Sequence, residues 1–127
     1  MGDSASPRVV LAVDDETSVR TLVCTYLAQQ GWRCLSASSV SEAMELLERE
    51  AVTHALVDLH IGQDSGFDLM RAIRRRHPQV KIVAMTGSML SAEEESYKAG
   101  ATAFLSKPFG ALKKILDALD APGPPRP

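Results

Sequence analysis

A chain of 127 residues, 45% of them hydrophobic, has the length of one domain and enough apolar side chains for a single core. Its formal net charge of −2 gives no basis for a nucleic-acid-binding surface. No apolar segment approaches the ~20 residues that cross a bilayer, and the amino terminus lacks a basic region followed by an apolar stretch, so a soluble, cytoplasmic protein is expected.

Residues 1–7 form a leader of small residues, expected to be flexible. The apolar run Val9 to Val13 follows and stops at Asp14-Asp15. A first helix is predicted from about Thr17 to Gln30, with Val19, Leu22, Val23, Tyr26 and Leu27 at helical spacing on one face. Gly31 stands where a left-handed cap would end it. Cys24 and Cys34 have no metal-type spacing and no secretory context; buried free thiols are the favoured reading, with a disulfide or redox pair as the alternative. A short strand spans Arg33 to Ala37, and Ser39 opens a second helix with Glu42 three residues on, a capping-box pattern. Val40, Ala43, Met44 and Leu47 make its inner stripe.

The third strand, Ala55 to Val57, ends at Asp58. A third helix covers Phe67 to Arg76, with Leu69, Met70 and Ile73 inward and Arg71, Arg74, Arg75 and Arg76 largely outward as a solvated basic face. The run Val80 to Met85 ends at Thr86-Gly87. A short, Glu-rich fourth helix from Ser91 to about Ala99 has Tyr97 as its only large apolar residue, so it is expected to be weakly anchored. The run Ala103 to Leu105 ends at Ser106-Lys107-Pro108, and a fifth helix follows from Ala111 to Leu119. Residues 121–127 form a Pro-rich tail or the start of a linker.

This βα alternation predicts an α/β fold of the flavodoxin-like, doubly wound kind: a five-stranded parallel sheet in the order 2-1-3-4-5 with five helices, over residues 8–120. The first turn, Val13-Asp14-Asp15-Glu16-Thr17, has no glycine for a pyrophosphate to approach, which argues against dinucleotide binding. In a sheet of this order ligands bind at the carboxyl ends of the strands, beside the switch point between strands 1 and 3. Asp14, Asp15 and Asp58 end those strands, with Thr86 and Lys107 on the same edge. Clustered carboxylates repel unless a cation intervenes, and hard oxygen ligands of this type suit Mg²⁺. A phosphoryl group could then approach Asp58, with Lys107 as a point charge and Thr86 as a hydroxyl donor.

With these pieces in order, the sequence resembles the receiver domains of two-component response regulators over about residues 8–120. The matching fragments are Val13-Asp14-Asp15-Glu16, Val57-Asp58-Leu59 with Gly66 eight residues after the aspartate, Met85-Thr86-Gly87, and Lys107-Pro108-Phe109. The resemblance implies that Asp58 is the phosphoacceptor for a histidine kinase or histidine phosphotransfer protein. It implies that Asp15, Asp58 and the His60 backbone carbonyl ligate Mg²⁺ directly, with Asp14 acting through bound water. Lys107 resembles the phosphate-pairing lysine, with a cis bond to Pro108, and Thr86 the switch hydroxyl. Phe104 occupies the switch-aromatic position; His60 and Ser88 occupy positions that tune the lifetime of the acyl phosphate. The implied output is a remodelled face of the fourth helix, fifth strand and fifth helix, used for partner binding or for phosphorylation-dependent homodimerisation. Such a domain is not an enzyme; it catalyses only its own phosphorylation and dephosphorylation.

The pattern departs from the family where proline often stands four residues after the acceptor: Gly62 is found there, in a loop expected to be more mobile. A stand-alone receiver is favoured over the amino-terminal receiver of a larger regulator. A pseudo-receiver docking module would normally have lost Asp58 or Lys107. A haloacid-dehalogenase-type phosphatase would want a second aspartate at position 60, which is His60. A flavin-binding protein would need a phosphate loop where Asp14-Asp15-Glu16 stands.

Overall fold

The computed structural model describes residues 7–87, 92–107 and 112–122. Expectations for Ser88, Pro108, Phe109, the starts of the fourth and fifth helices at Ser91 and Ala111, the leader up to residue 6 and the tail beyond residue 122 lie outside the described residues. The elements are β1 (Val9–Val13), α1 (Thr17–Gln29), β2 (Arg33–Ala37), α2 (Val40–Arg49), β3 (His54–Asp58), β4 (His60–Ile61), β5 (Asp64–Ser65), α3 (Gly66–Arg76), β6 (Lys81–Thr86), α4 (Glu93–Lys98), β7 (Ala103–Ser106) and α5 (Lys113–Asp120).

Five strands pair in the order β2-β1-β3-β6-β7, all parallel. With the small antiparallel β4–β5 hairpin set aside, this is the predicted 2-1-3-4-5 order. Both faces of the sheet are covered, which is why the central strands read as unbroken apolar runs rather than alternating ones. Successive side chains still point to opposite faces. Val9, Leu11 and Val13 join Ala55, Val57, Ile82 and Ala84 against α2 and α3. Val10 and Ala12 join Leu56, Val83 and Met85 against α1 and α5. Four helices dock through apolar residues at helical spacing: Val23 and Leu27 of α1, Ala43 and Leu47 of α2, Leu69, Met70 and Ile73 of α3, and Ile115 and Leu119 of α5 are all buried. Full burial of one such side chain contributes about 1.5–3 kcal/mol.

The caps follow from local chemistry. Gly31 takes φ +92, past the end of α1, where a side chain would be strained. Ser39 accepts the Glu42 N–H at 3.1 Å. The return bond of this capping box goes one residue earlier than the pattern implies, from the Ser38 N–H to Glu42 Oε1 at 2.8 Å.

Three expectations are corrected. Leu22 lies outside the buried stripe of α1 and is 47% exposed; it is a full 100° of helix turn away from Val23, at the margin of the face that the sheet can cover. Cys24 and Cys34 are joined in a disulfide, with Cα atoms 5.2 Å apart, rather than standing as free thiols. Arg74 is half-buried and turned into the fold, donating to the carbonyls of Pro78 (2.7 Å), Val80 (2.9 Å) and Gly100 (2.7 Å). The glycine-containing segment after Asp58 forms the β4–β5 hairpin, with Gly62 at φ +61 in the turn.

Candidate functional site

Parallel register brings the strand ends level. Val13 pairs with Val57, Asp58 with Met85, and Thr86 with Ser106, so the residues that follow β1 and those that end β3, β6 and β7 share one edge of the sheet. Asp14 is fully buried there, Asp58 is 5% exposed and Thr86 is 2% exposed, whereas Asp15 is exposed. One carboxylate oxygen each from Asp14, Asp15 and Asp58 lies within 4.8 Å of the others, a donor set that fits a hard divalent ion.

Lys107 knits this cluster together. Its Nζ donates to Asp14 Oδ2 at 2.8 Å, to Asp58 Oδ2 at 3.3 Å and to Glu16 Oε1 at 3.4 Å. Its backbone N–H donates to the Thr86 carbonyl at 2.7 Å, which fixes the start of the segment after β7 against the end of β6. Burial works against the charge of Lys107, but the hydrogen bond to Asp14 and the attraction of Asp58 outweigh it and hold the ammonium pKa above its ordinary value. Burial pushes the Asp58 carboxyl upward, and the negative charge of Asp14 adds to that; Lys107 and the His60 N–H, 3.4 Å from Oδ1, oppose the shift without cancelling it. One lysine thus serves three acidic groups, and for buried Asp58 it offsets only part of the cost of the charge.

The acidic turn is set locally. The Glu16 N–H donates to Asp14 Oδ1 at 2.9 Å, and Arg20, in the first turn of α1, donates to the Asp14 carbonyl at 2.7 Å. Both Asp14 oxygens are thus engaged by protein donors, Oδ1 by Glu16 and Oδ2 by Lys107. Asp15 Oδ2 accepts the Gly62 N–H at 3.1 Å, tying the exposed carboxylate to the β4–β5 hairpin. Gly66 is required for another reason: an added Cβ would overlap the Asp58 carbonyl oxygen and stand 2.7 Å from Leu59 Cα.

Above the cluster lies an open cleft of about 590 Å³, lined by Asp15, Glu16, Val19, Asp58, His60, Gly87 and Lys107. Asp14, Asp15, Asp58, Thr86 and Lys107 are thus brought to one edge, as the sequence predicts. His60 is exposed at the cleft wall in β4. Phe104 lies back toward the start of β7, half-buried against the core on the α2–α3 face and pairing with Ala84. Ser88 lies outside the described residues. Sequence reasoning assigned no part to Glu16, Arg20 or the Gly62 amide. Glu16 was visible as the third acid of a run, but nothing in the sequence places Arg20 on Asp14 or Gly62 on Asp15.

A family described as the response regulator receiver domain matches residues 10–120. The chain is 37% identical over 114 residues to the response regulator protein PilR of Pseudomonas aeruginosa, covering 87% of this chain and 26% of that protein. It is 32% identical over 126 residues to the photosynthetic apparatus regulatory protein RegA of Rhodobacter capsulatus, covering 96% of this chain and 68% of RegA. Among solved structures, a response regulator protein from Burkholderia pseudomallei, with a phosphorylated aspartic acid, calcium ion and citrate, superposes with a TM-score of 0.83 at 30% identity, covering 89% of this chain and 66% of that one. The chain spans about a quarter of the length of PilR.

Proposed function

Because the chain belongs to the response regulator receiver domain family, we propose that it takes a phosphoryl group from a histidine kinase or a histidine phosphotransfer protein onto Asp58. In that step an Asp58 carboxylate oxygen attacks the phosphorus of phosphohistidine, the P–N bond breaks, and the imidazole of the donor leaves with the bond's electron pair. The observation that carries the proposal is the position of Lys107 Nζ, 2.8 Å from Asp14 and 3.3 Å from Asp58. Asp14 holds the ammonium where an oxygen of a phosphoryl group on Asp58 would need a positive partner. The upward shift of Asp58 reflects the same need for compensating charge.

Asp15 and Asp58 are proposed to hold Mg²⁺ together with the His60 carbonyl. The two oxygens of Asp14 are already engaged, which supports its acting through a water molecule instead. Bound Mg²⁺ supplies positive charge that offsets repulsion between the acidic cluster and an incoming phosphoryl group. The Burkholderia protein, with its phosphorylated aspartic acid and calcium ion, supports both parts of this proposal.

Thr86, buried at the end of β6, is proposed to turn its hydroxyl to the phosphoryl group. Phe104 on β7 would follow, changing the α4–β7–α5 face for a partner or a second copy of the chain. The short α4, with only Ser96 buried among its described side chains, offers little resistance to such a shift. His60 at the cleft wall, with Ser88, is proposed to set how fast the acyl phosphate hydrolyses. The domain works on itself and turns over no external substrate. PilR holds its related segment within a much longer chain, and the chemistry is the same whether the domain acts alone or as one module of a larger regulator. No helix among the described residues is long and apolar enough to cross a membrane, which agrees with a cytoplasmic place of action.

Intact-mass analysis after incubation with acetyl phosphate, with and without Mg²⁺, tests the proposal. Wild type should gain one phosphoryl group only with the metal, and Asp58→Asn should gain none. A wild-type chain that stays unmodified under conditions that slow acyl-phosphate hydrolysis would leave a docking module in its place.

A further inference from the structure

Away from the acidic edge, the disulfide between Cys24 and Cys34 joins the middle of α1 to β2, the outermost strand on that side of the sheet. We propose that this pair is a reversible dithiol–disulfide site that exchanges with small-molecule disulfides of the glutathione class, and that its closure fastens α1 to the sheet edge.

Three observations carry the inference. The chain has only these two cysteines, so closure has no competing partner within the molecule. The fold itself sets the two residues at bonding range. Val23 and Leu27 anchor α1 on either side of Cys24, both fully buried. Cys34 is locked opposite Val10 by the β1–β2 ladder. The resulting Cα separation of 5.2 Å lies inside the span that a disulfide bridges without backbone movement. Both cysteines are half-buried against the α1–α5 core, accessible in part to a small reagent.

The fold also makes the bond dispensable, as reversibility requires. Two core clusters and a complete five-stranded ladder hold the domain together without this bond, unlike small domains whose disulfides replace a core. Opening the bond therefore leaves a folded protein with two thiols.

The exchange balances in two steps. One cysteine thiolate attacks a sulfur of the oxidant and releases the first small thiol, leaving a mixed disulfide. The second cysteine thiolate attacks the protein sulfur of that mixed disulfide and releases the second thiol. The protein loses two protons and two electrons, and one small disulfide becomes two thiols. Closure bears on the neighbouring site through α1, which carries Val19 in the cleft wall and Arg20 on the Asp14 carbonyl, and through β2, whose Ala37 carbonyl accepts the Asp14 N–H at 3.1 Å. The inference stands whether or not Asp58 is phosphorylated.

The test equilibrates the whole chain in mixtures of reduced and oxidised glutathione, with and without urea, then quenches with N-ethylmaleimide and reads intact mass. The expected native result is a passage from doubly alkylated to unalkylated protein with no lasting glutathione adduct. It should need at least roughly tenfold less oxidised glutathione than the chain in urea, because a bond that stabilises the fold is itself stabilised by folding. The closed form should also melt several degrees higher than the reduced form, a difference that vanishes in Cys34→Ser and in Cys24→Ser. A native chain that stays doubly alkylated where the urea-unfolded chain closes would overturn the proposal. So would a chain that halts at the mixed disulfide, or one whose two forms melt together.

Discussion

Replacing Lys107 by methionine keeps the length and apolar stem of the side chain while deleting the charge that holds the acidic cluster together. Its loss can be scaled from the contacts. Removing one partner of a fully buried ion pair costs about 3–5 kcal/mol, because the other is left charged and unpaired. The Lys107 side chain is 12% exposed and its partners Asp14 and Asp58 are 1% and 7% exposed, so this regime applies to both. Glu16, at 61%, adds little, since exposed pairs contribute at most ~1 kcal/mol. Some relief comes from the open cleft, which places the expected loss at the lower end, about 3 kcal/mol, or roughly 10 °C in melting temperature for a chain of this size. The loss must also depend on pH. Without Lys107, Asp58 loses the group that opposes its upward shift, so it binds a proton in the folded state at higher pH than in the unfolded chain, and protonation relieves the repulsion. Urea unfolding of both proteins at about pH 7 and about pH 5 should therefore show the gap narrowing as pH falls, and narrowing again when MgCl₂ is added at the higher pH. A gap of the same size at both pH values would refute the electrostatic reasoning and assign the loss to packing alone.

Further expectations follow from single contacts. Asp58→Asn should melt above wild type in metal-free buffer. The folded carboxyl pKa is raised above its ordinary value of 3.8, so ionising Asp58 costs stability as pH rises through that range; the gain of the variant should disappear in melts below it. Gly66→Ala drives a Cβ into the Asp58 carbonyl with only backbone around it, and should cost about 3 kcal/mol in denaturant unfolding and slow phosphorylation together; a variant with normal stability would show that the α3 start can move freely. Arg74→Ala removes the donors to Pro78, Val80 and Gly100, and should lower stability by about 2 kcal/mol. In that variant hydrogen exchange should speed up most between α4 and β7. His60→Ala should lengthen the half-life of the phosphorylated form if the imidazole at the cleft wall orients the attacking water; identical decay curves would remove His60 from that part.

The sheet was legible because burial on both faces turns each central strand into an apolar run bounded by polar residues. Val9 to Val13 ending at Asp14, and Ala55 to Val57 ending at Asp58, mark both the strand and the edge where its carboxylate stands. Parallel register then brings Asp14, Asp58, Thr86 and Lys107 together without further information. What escaped depended on partners far along the chain. The β4–β5 hairpin leans on Asp15, 47 residues before Gly62, and on the positive φ of that glycine. Arg74 looks like one more arginine of a solvated helix face until the carbonyl of Gly100, 26 residues on, is seen to receive it. The two cysteines have no meaningful spacing in the sequence, because what pairs them is the packing of α1 over β2.

Borohydride trapping of the phosphorylated chain tests the central claim most directly, since it reduces an aspartyl phosphate to homoserine and leaves free carboxylates unchanged. Peptide mapping should then find a single homoserine, at position 58, formed only in samples phosphorylated with Mg²⁺ present. Homoserine at position 14 or 15, or phosphorylated protein that yields none, would contradict the assignment of Asp58 as the acceptor.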